Sequence, residues 1–123
     1  MKILIVGAGR IGSSVAESLV SEANDITVVD QDAERIGSLQ SRFDLRGVVG
    51  NATSPQVLTD AGAADTDMLI AVTSSDETNL VVTMLCARIF NIPTRIARVR
   101  NNELRGYPRI LGEEGFEATS IIW

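Results

Sequence analysis

An α/β fold, a parallel sheet covered by helices on both faces, is the class this sequence predicts. Three observations carry it. Short aliphatic or β-branched runs alternate with helical patterns along the whole chain. Two of those runs, Ile3 to Val6 and Met68 to Val72, are continuously apolar, as in strands buried on both faces. A glycine turn, Val6-Gly7-Ala8-Gly9-Arg10-Ile11-Gly12, follows the first run and opens a helical pattern. The order reads β-α-β-α-β-α-β-α-β-α-β. With right-handed crossovers and a glycine-rich first turn, it gives a Rossmann-type doubly wound parallel sheet of strand order 3-2-1-4-5-6.

The glycine spacing has a physical reading. Gly7 makes a tight turn, Gly9 leaves the backbone bare for a diphosphate, and Gly12 lets the helix pack close to the strand. The first helical N–H groups then face the anion, and the helix dipole favours negative charge there. The helix runs from about Arg10 to Ser21, with Ile11, Val15 and Leu19 in one stripe widened by Ala16 and Val20. Ile26 to Val29 is the second strand, ending at Asp30, about 20 residues beyond the glycines. A carboxylate at that tip accepts from ribose hydroxyls and repels a 2′-phosphate, which favours NAD over NADP. It also suits an N-cap for the next helix, a role open to Asp32 as well.

The second helix spans Ala33 to about Arg42, and the third strand is Arg46 to Val49. The loop Gly50-Asn51-Ala52-Thr53-Ser54-Pro55 then feeds a helix that stops at Gly62. Either Ser54 caps it with Pro55 in the first turn, or Thr53 and Gln56 form a capping box. The small polar residues of this loop suit an adenine pocket or simple capping. Strand four is followed by Thr73-Ser74-Ser75-Asp76-Glu77, where Ser74 and Glu77 have capping-box spacing. This loop emerges beside the glycine turn, where open α/β sheets bind ligands.

The helix from Glu77 to Phe90 is apolar nearly all round, with Asn79, Thr83 and Arg88 as exceptions. Such a helix is buried on two sides, so its outer face is expected to meet another subunit or domain, with Leu85 and Phe90 as test positions. Packing between neighbours within the domain is the alternative. Strand five is Thr94 to Val99, with Arg98 and Arg100 at its ligand end. A short helix around Glu103 to Leu111, broken by Gly106 and Pro108, precedes a sixth strand over Phe116 to Ile122. The terminal Ile-Ile-Trp needs cover, so the 123 residues are expected to be a single domain of a longer chain.

Composition narrows the function. The chain has 123 residues, 45% of them hydrophobic, and a net charge of −5 without a basic run, which argues against non-specific nucleic-acid binding. No apolar stretch approaches the ~20 residues that span a bilayer, so direct membrane insertion is not expected. One cysteine, Cys86, cannot pair within the chain and suits a reducing cytoplasm. It reads as a packing residue. There is no histidine, and Lys2 is the only lysine. The commonest acid/base groups are therefore missing, which shifts weight from catalyst to binding module, and no catalytic residue or metal site is expected. The competing reading is the cofactor half of an NAD-dependent oxidoreductase.

Four stretches together resemble the KTN/RCK domains, the nucleotide-binding regulatory domains of potassium channels and transporters. They are Met1 to Gly12, Val29-Asp30-Gln31-Asp32, Gly50-Asn51-Ala52-Thr53 and Ala71 to Asn79. The resemblance implies binding of NAD or NADH, with ATP or ADP as competing ligands in some members. It implies no catalysis, and gating of ion flux through conformational change. It implies dimers assembling into rings beneath an integral membrane potassium transporter subunit, on the cytoplasmic face. Carried onto matching positions, Gly7, Ala8, Gly9, Arg10, Ile11 and Gly12 hold the phosphates. Asp30, with Gln31 beside it, holds the ribose. Thr73 and Ser74 lie by the middle or nicotinamide half, Arg98 is a further contact, and Asn51, Ala52 and Thr53 of the third stretch are candidate cofactor contacts. Asn51 stands where an Asp is commonest in the family, which removes any role there that needs charge. Arg10, between the glycines, is a candidate sensor of phosphate charge.

Overall fold

A computed structural model describes residues 1–123. Six strands form one sheet in the order β3-β2-β1-β4-β5-β6, with every neighbouring pair parallel. They are β1 (Lys2–Val6), β2 (Asp25–Asp30), β3 (Arg46–Val49), β4 (Met68–Ala71), β5 (Thr94–Arg98) and β6 (Ser120–Ile122). The helices are α1 (Arg10–Val20), α2 (Ala33–Arg42), α3 (Pro55–Asp60), α4 (Asp76–Arg88) and α5 (Pro108–Leu111), with 3-10 turns at Ala63–Asp65 and Asn102–Gly106.

Alternation along β1 divides the core into two layers. Ile3 and Ile5 point to one face with Ile26, Val28 and Ile70, where Ala16 of α1 and Ile36 and Leu39 of α2 cover them. The predicted stripe Ile11, Val15, Leu19 and Val20 packs against this layer. Leu4 and Val6 point to the other face with Val29, Leu69 and Ala71, beneath Leu58 of α3 and Val82 and Cys86 of α4. Because both faces are covered, β1 from Ile3 onward and β4 carry apolar residues at successive positions, which is why these strands read as continuous runs. A smaller cluster of Leu80, Ala97, Val99 and Leu111 anchors the C-terminal third.

The helix ends follow local chemistry. Asp32 caps α2 by accepting from the N–H groups of Glu34 and Arg35. Ser54 caps α3 with Pro55 in the first turn, so the Thr53–Gln56 capping box is not formed; the Gln56 amide donates to Asp60 instead. The cap of α4 is Ser75 and not Ser74, with Ser75 Oγ accepting from the Thr78 N–H. The helix therefore begins at Asp76, whose carboxylate accepts from the N–H groups of Arg100 and Asn101 and ties the helix start to the chain after β5. Asn91, at φ 55°, ends α4, and the Ile92 N–H returns to the Cys86 carbonyl. The sixth strand is shorter than the apolar pattern suggests. Glu117 takes φ 65°, a conformation outside a strand, so residues 116–119 lie outside the strand and pairing with β5 begins at Ser120.

Candidate functional site

The C-terminal ends of β1, β2, β4 and β5 surround a cavity of about 540 Å³. It lies at the switch point where the chain leaves β1 for neighbours on opposite sides. The glycine turn forms its floor, and two of its glycines are demanded by the protein itself. At Gly7, φ is +114° and a Cβ would stand 3.0 Å from the backbone of Val72 and Thr73. At Gly12 a Cβ would stand 1.8 Å from the Gly7 carbonyl oxygen, so α1 could not seat on the turn.

Gly9 is different. It is the N-cap of α1, and a Cβ there would meet only the Arg35 guanidinium at 3.6 Å, an ordinary contact. Nothing in the fold itself requires the missing side chain, whereas a ligand lying against the backbone would. The same glycine leaves α1 without a side-chain cap, while Asp32, Ser54 and Ser75 cap α2, α3 and α4. The first N–H groups of α1 stay open at the cavity edge, the arrangement that binds anions.

Asp30 stands across the turn. Its carboxylate accepts the Ala8 N–H at 2.7 Å and the Asp32 N–H at 2.8 Å. It braces the glycine turn and starts the next loop. A carboxylate has about four lone-pair sites, so two remain for hydroxyl donors from a ligand. Cavity charge runs against that of the chain. Arg10, Arg35, Arg98 and Arg100 line it with Asp30 as the one acid, whereas the whole chain carries −5. Only Arg35 of these forms an ion pair, with Asp32 at 3.6 Å. A concave, cation-rich wall in an acidic domain focuses a field attractive to polyanions.

Gly7, Gly9, Arg10, Ile11, Asp30, Gln31, Asn51, Ala52, Thr73, Ser74 and Arg98 all line this one cavity. Ala8, Gly12 and Thr53 do not. Ala8 is buried and gives its N–H to Asp30, Gly12 packs on Gly7, and the Thr53 hydroxyl donates to Asn51 Oδ1. Arg100, placed with Arg98 at the ligand end of β5 by the sequence, lines the cavity too, whereas Arg35, Ser75 and Thr78 were missed. Arg35 lies in the first turn of α2, three residues past the cap Asp32, and no motif in the sequence marks it as a cavity residue. Cys86 is fully buried, and burial pushes its thiol up to about 12, with Arg95 drawing it partly back. It is no nucleophile at neutral pH.

A doubly wound sheet with an anion-ready cavity at its switch point defines a Rossmann-type ligand-binding domain. Residues 3–120 match the TrkA-N domain family, and the chain belongs to it. It is 50% identical over 123 residues to the Trk system potassium uptake protein TrkA of Haemophilus influenzae, covering 99% of this chain and 27% of that protein. The chain thus spans about a quarter of that relative's length. Among solved structures, the TrkA-N domain of inner membrane protein ybaL from Escherichia coli superposes with a TM-score of 0.84 at 22% identity, covering 98% of this chain and 85% of that one. The GsuK RCK domain gives 0.79 at 26% identity, covering 98% of this chain and 24% of that one. The GsuK channel bound to NAD gives 0.79 at 22%, covering 98% and 21%.

Proposed function

We propose that this chain is a nucleotide-binding regulatory domain of a potassium uptake system. NAD or NADH occupies the cavity, and ATP or ADP competes for it. The observation that carries the reading is the bare N-cap of α1: Gly9 exposes helix N–H groups to a cation-rich cavity although the fold does not need a glycine there. A diphosphate on those N–H groups places an adenosine ribose toward Asp30 and Gln31 and the adenine toward Asn51 and Ala52. The other half of a dinucleotide runs toward Thr73, Ser74 and Arg98. The Haemophilus relative, by its name, acts in potassium uptake. The likeness to the NAD-bound GsuK channel carries the fold alone, so the ligand assignment rests on the cavity.

Regulation, in this reading, works by occupancy changing domain geometry and hence ion flux. The domain is peripheral to the cytoplasmic face of the membrane and acts on an integral potassium transporter subunit. No helix is long and apolar enough to cross a membrane. Self-association into dimers, and rings in the full protein, uses the outer face of α4. Leu85 and Phe90 pack against the core, so the outward apolar residues are Ile89, 51% exposed, with the partly exposed Val81 and Met84.

Calorimetric titration with NADH, NAD, ATP and ADP, with oligomer mass measured alongside, tests the proposal. Saturable binding of at least one dinucleotide is expected. No binding of any of the four would overturn it, and hydride transfer from bound NADH to a substrate would favour the oxidoreductase reading.

A further inference from the structure

Asn79 lies in the first turn of α4, next to the cavity-lining Thr78, and is fully buried. It does not touch the cavity, yet all of its hydrogen-bonding capacity is spent on the cavity's far wall. Its Oδ1 accepts the Thr73 N–H at 2.9 Å and the Thr73 hydroxyl at 2.7 Å. Its Nδ2 donates to the Thr73 carbonyl at 3.1 Å and to the Arg98 carbonyl at 2.9 Å. The Thr73 hydroxyl, its proton given to Asn79, accepts the Ser75 N–H at 3.2 Å. One amide therefore joins the loop after β4 to the last residue of β5.

The chemistry requires this residue type. Only a side-chain amide offers two acceptor lone pairs and two donors on one planar group. An apolar residue would take a partner from the part-buried Thr73 N–H and from two carbonyls, and an Asp would set a carboxylate against two carbonyl oxygens. The position also matters for the glycine turn. Thr73 N lies where a Cβ on Gly7 would come within 3.0 Å. The wall that Asn79 holds thus leans directly on the turn beneath the cavity. It fixes both the gap between turn and wall and the point from which the Arg98 side chain starts.

We propose that Asn79 is the positioning residue for the β4–β5 half of the site. It sets how tightly that half closes on the part of a ligand beyond the diphosphate. The proposal rests on the nucleotide-binding reading above. It predicts a split between ligands. AMP fills only the Asp30 half, whereas NADH spans both halves, so loss of the clamp weakens NADH and leaves AMP nearly untouched.

The test is calorimetric titration of the 123-residue chain and its Asn79→Asp and Asn79→Ser variants with NADH and with AMP. Thr83→Ala serves as a control. Thr83 is equally buried on α4, but its hydroxyl reaches the Phe116 carbonyl at 2.9 Å, away from the cavity. The expected result is at least a tenfold loss of NADH affinity in either folded Asn79 variant, AMP affinity within threefold, and no change in the NADH-to-AMP ratio in Thr83→Ala despite its lower melting temperature. Equal losses for both ligands, or unchanged NADH binding in a folded Asn79 variant, would overturn the proposal. If neither Asn79 variant folds, Thr73→Val, which removes the hydroxyl but keeps the backbone, must show the same NADH-selective loss. Wild-type chain that binds neither ligand would instead overturn the nucleotide-binding reading.

Discussion

Substituting alanine at Gly9 and, separately, at Gly12 divides the glycine turn into what the fold needs and what a ligand needs. At Gly12 the added methyl would lie 1.8 Å from the Gly7 carbonyl oxygen and 2.7 Å from its carbon. Both are backbone atoms of a turn braced by Asp30 and by the Gly7 N–H on the Val29 carbonyl at 2.9 Å. Neither side can yield without lifting α1 from Ile5 and Val72. Overpacking of this kind costs about 1–3 kcal/mol, and a clash on backbone belongs at the upper end. At roughly 4 °C per kcal/mol for a domain of this size, Gly12→Ala should melt about 12 °C lower. Gly9→Ala should not. Its φ of −76° and ψ of −160° suit any L-residue, and the methyl meets only a flexible guanidinium at 3.6 Å. Lower unfolded-state entropy contributes about 0.4–1 kcal/mol of stability, and replacing glycine as an N-cap costs a comparable amount. The melting temperature should therefore stay within about 3 °C. A diphosphate seated on the same backbone would be displaced by the methyl and lose charge-assisted hydrogen bonds of about 1.5–3 kcal/mol each. Gly9→Ala should thus bind NADH at least tenfold more weakly, read by calorimetry, with the melt read by circular dichroism. Wild-type affinity in Gly9→Ala, or a wild-type melt in Gly12→Ala, would refute this division of roles.

Ser75→Ala should destabilise by about 1 kcal/mol as the lost cap of α4, and Ser74→Ala by almost nothing, both measured by urea denaturation. Cys86 should resist iodoacetamide at pH 8 until the chain is unfolded, because its native thiol titrates only near 12. The native value lies above the ordinary 9.0, so the unfolded chain loses this proton first. Stability from this residue is complete below about pH 9 and declines as pH rises toward 12; thermal melts across that range should lose this decline in Cys86→Ala. Ile89→Glu should shift sedimentation from dimer to monomer, whereas a chain already monomeric, or a variant still dimeric, would exclude the outer face of α4 as the contact.

The architecture was legible because it rests on local patterns that agree with one another. Continuous apolar strands, the turn glycines and the capping residues each specified an element, and the parallel order followed from alternation. The cavity lining was legible at or just past the strands' C-terminal tips, as for Asp30, Asn51, Thr73 and Arg98. It was not legible where contacts cross between elements. Arg35 reaches the cavity from a helix flank, and nothing in its neighbourhood in sequence announces that. In α4 the sequence marked Asn79 and Thr83 only as polar exceptions in an apolar helix; both are fully buried and bonded to distant backbone, while Ile89 points outward. Buried polar residues whose partners lie 19 and 33 positions away leave no periodic signal. The shortened β6 has the same origin, since the left-handed turn at Glu117 is imposed by bonds from neighbouring elements, including Arg95 Nε to the Glu117 carbonyl at 2.6 Å.

The central claim is that the open N-terminus of α1 is built for a nucleotide diphosphate. A crystal structure of the chain grown with NADH tests it most directly. Diphosphate oxygens are expected at about 2.9 Å from the N–H groups of Arg10 and Ile11, with a ribose hydroxyl on Asp30. NADH bound elsewhere, or a cavity still empty at saturating NADH, would contradict it.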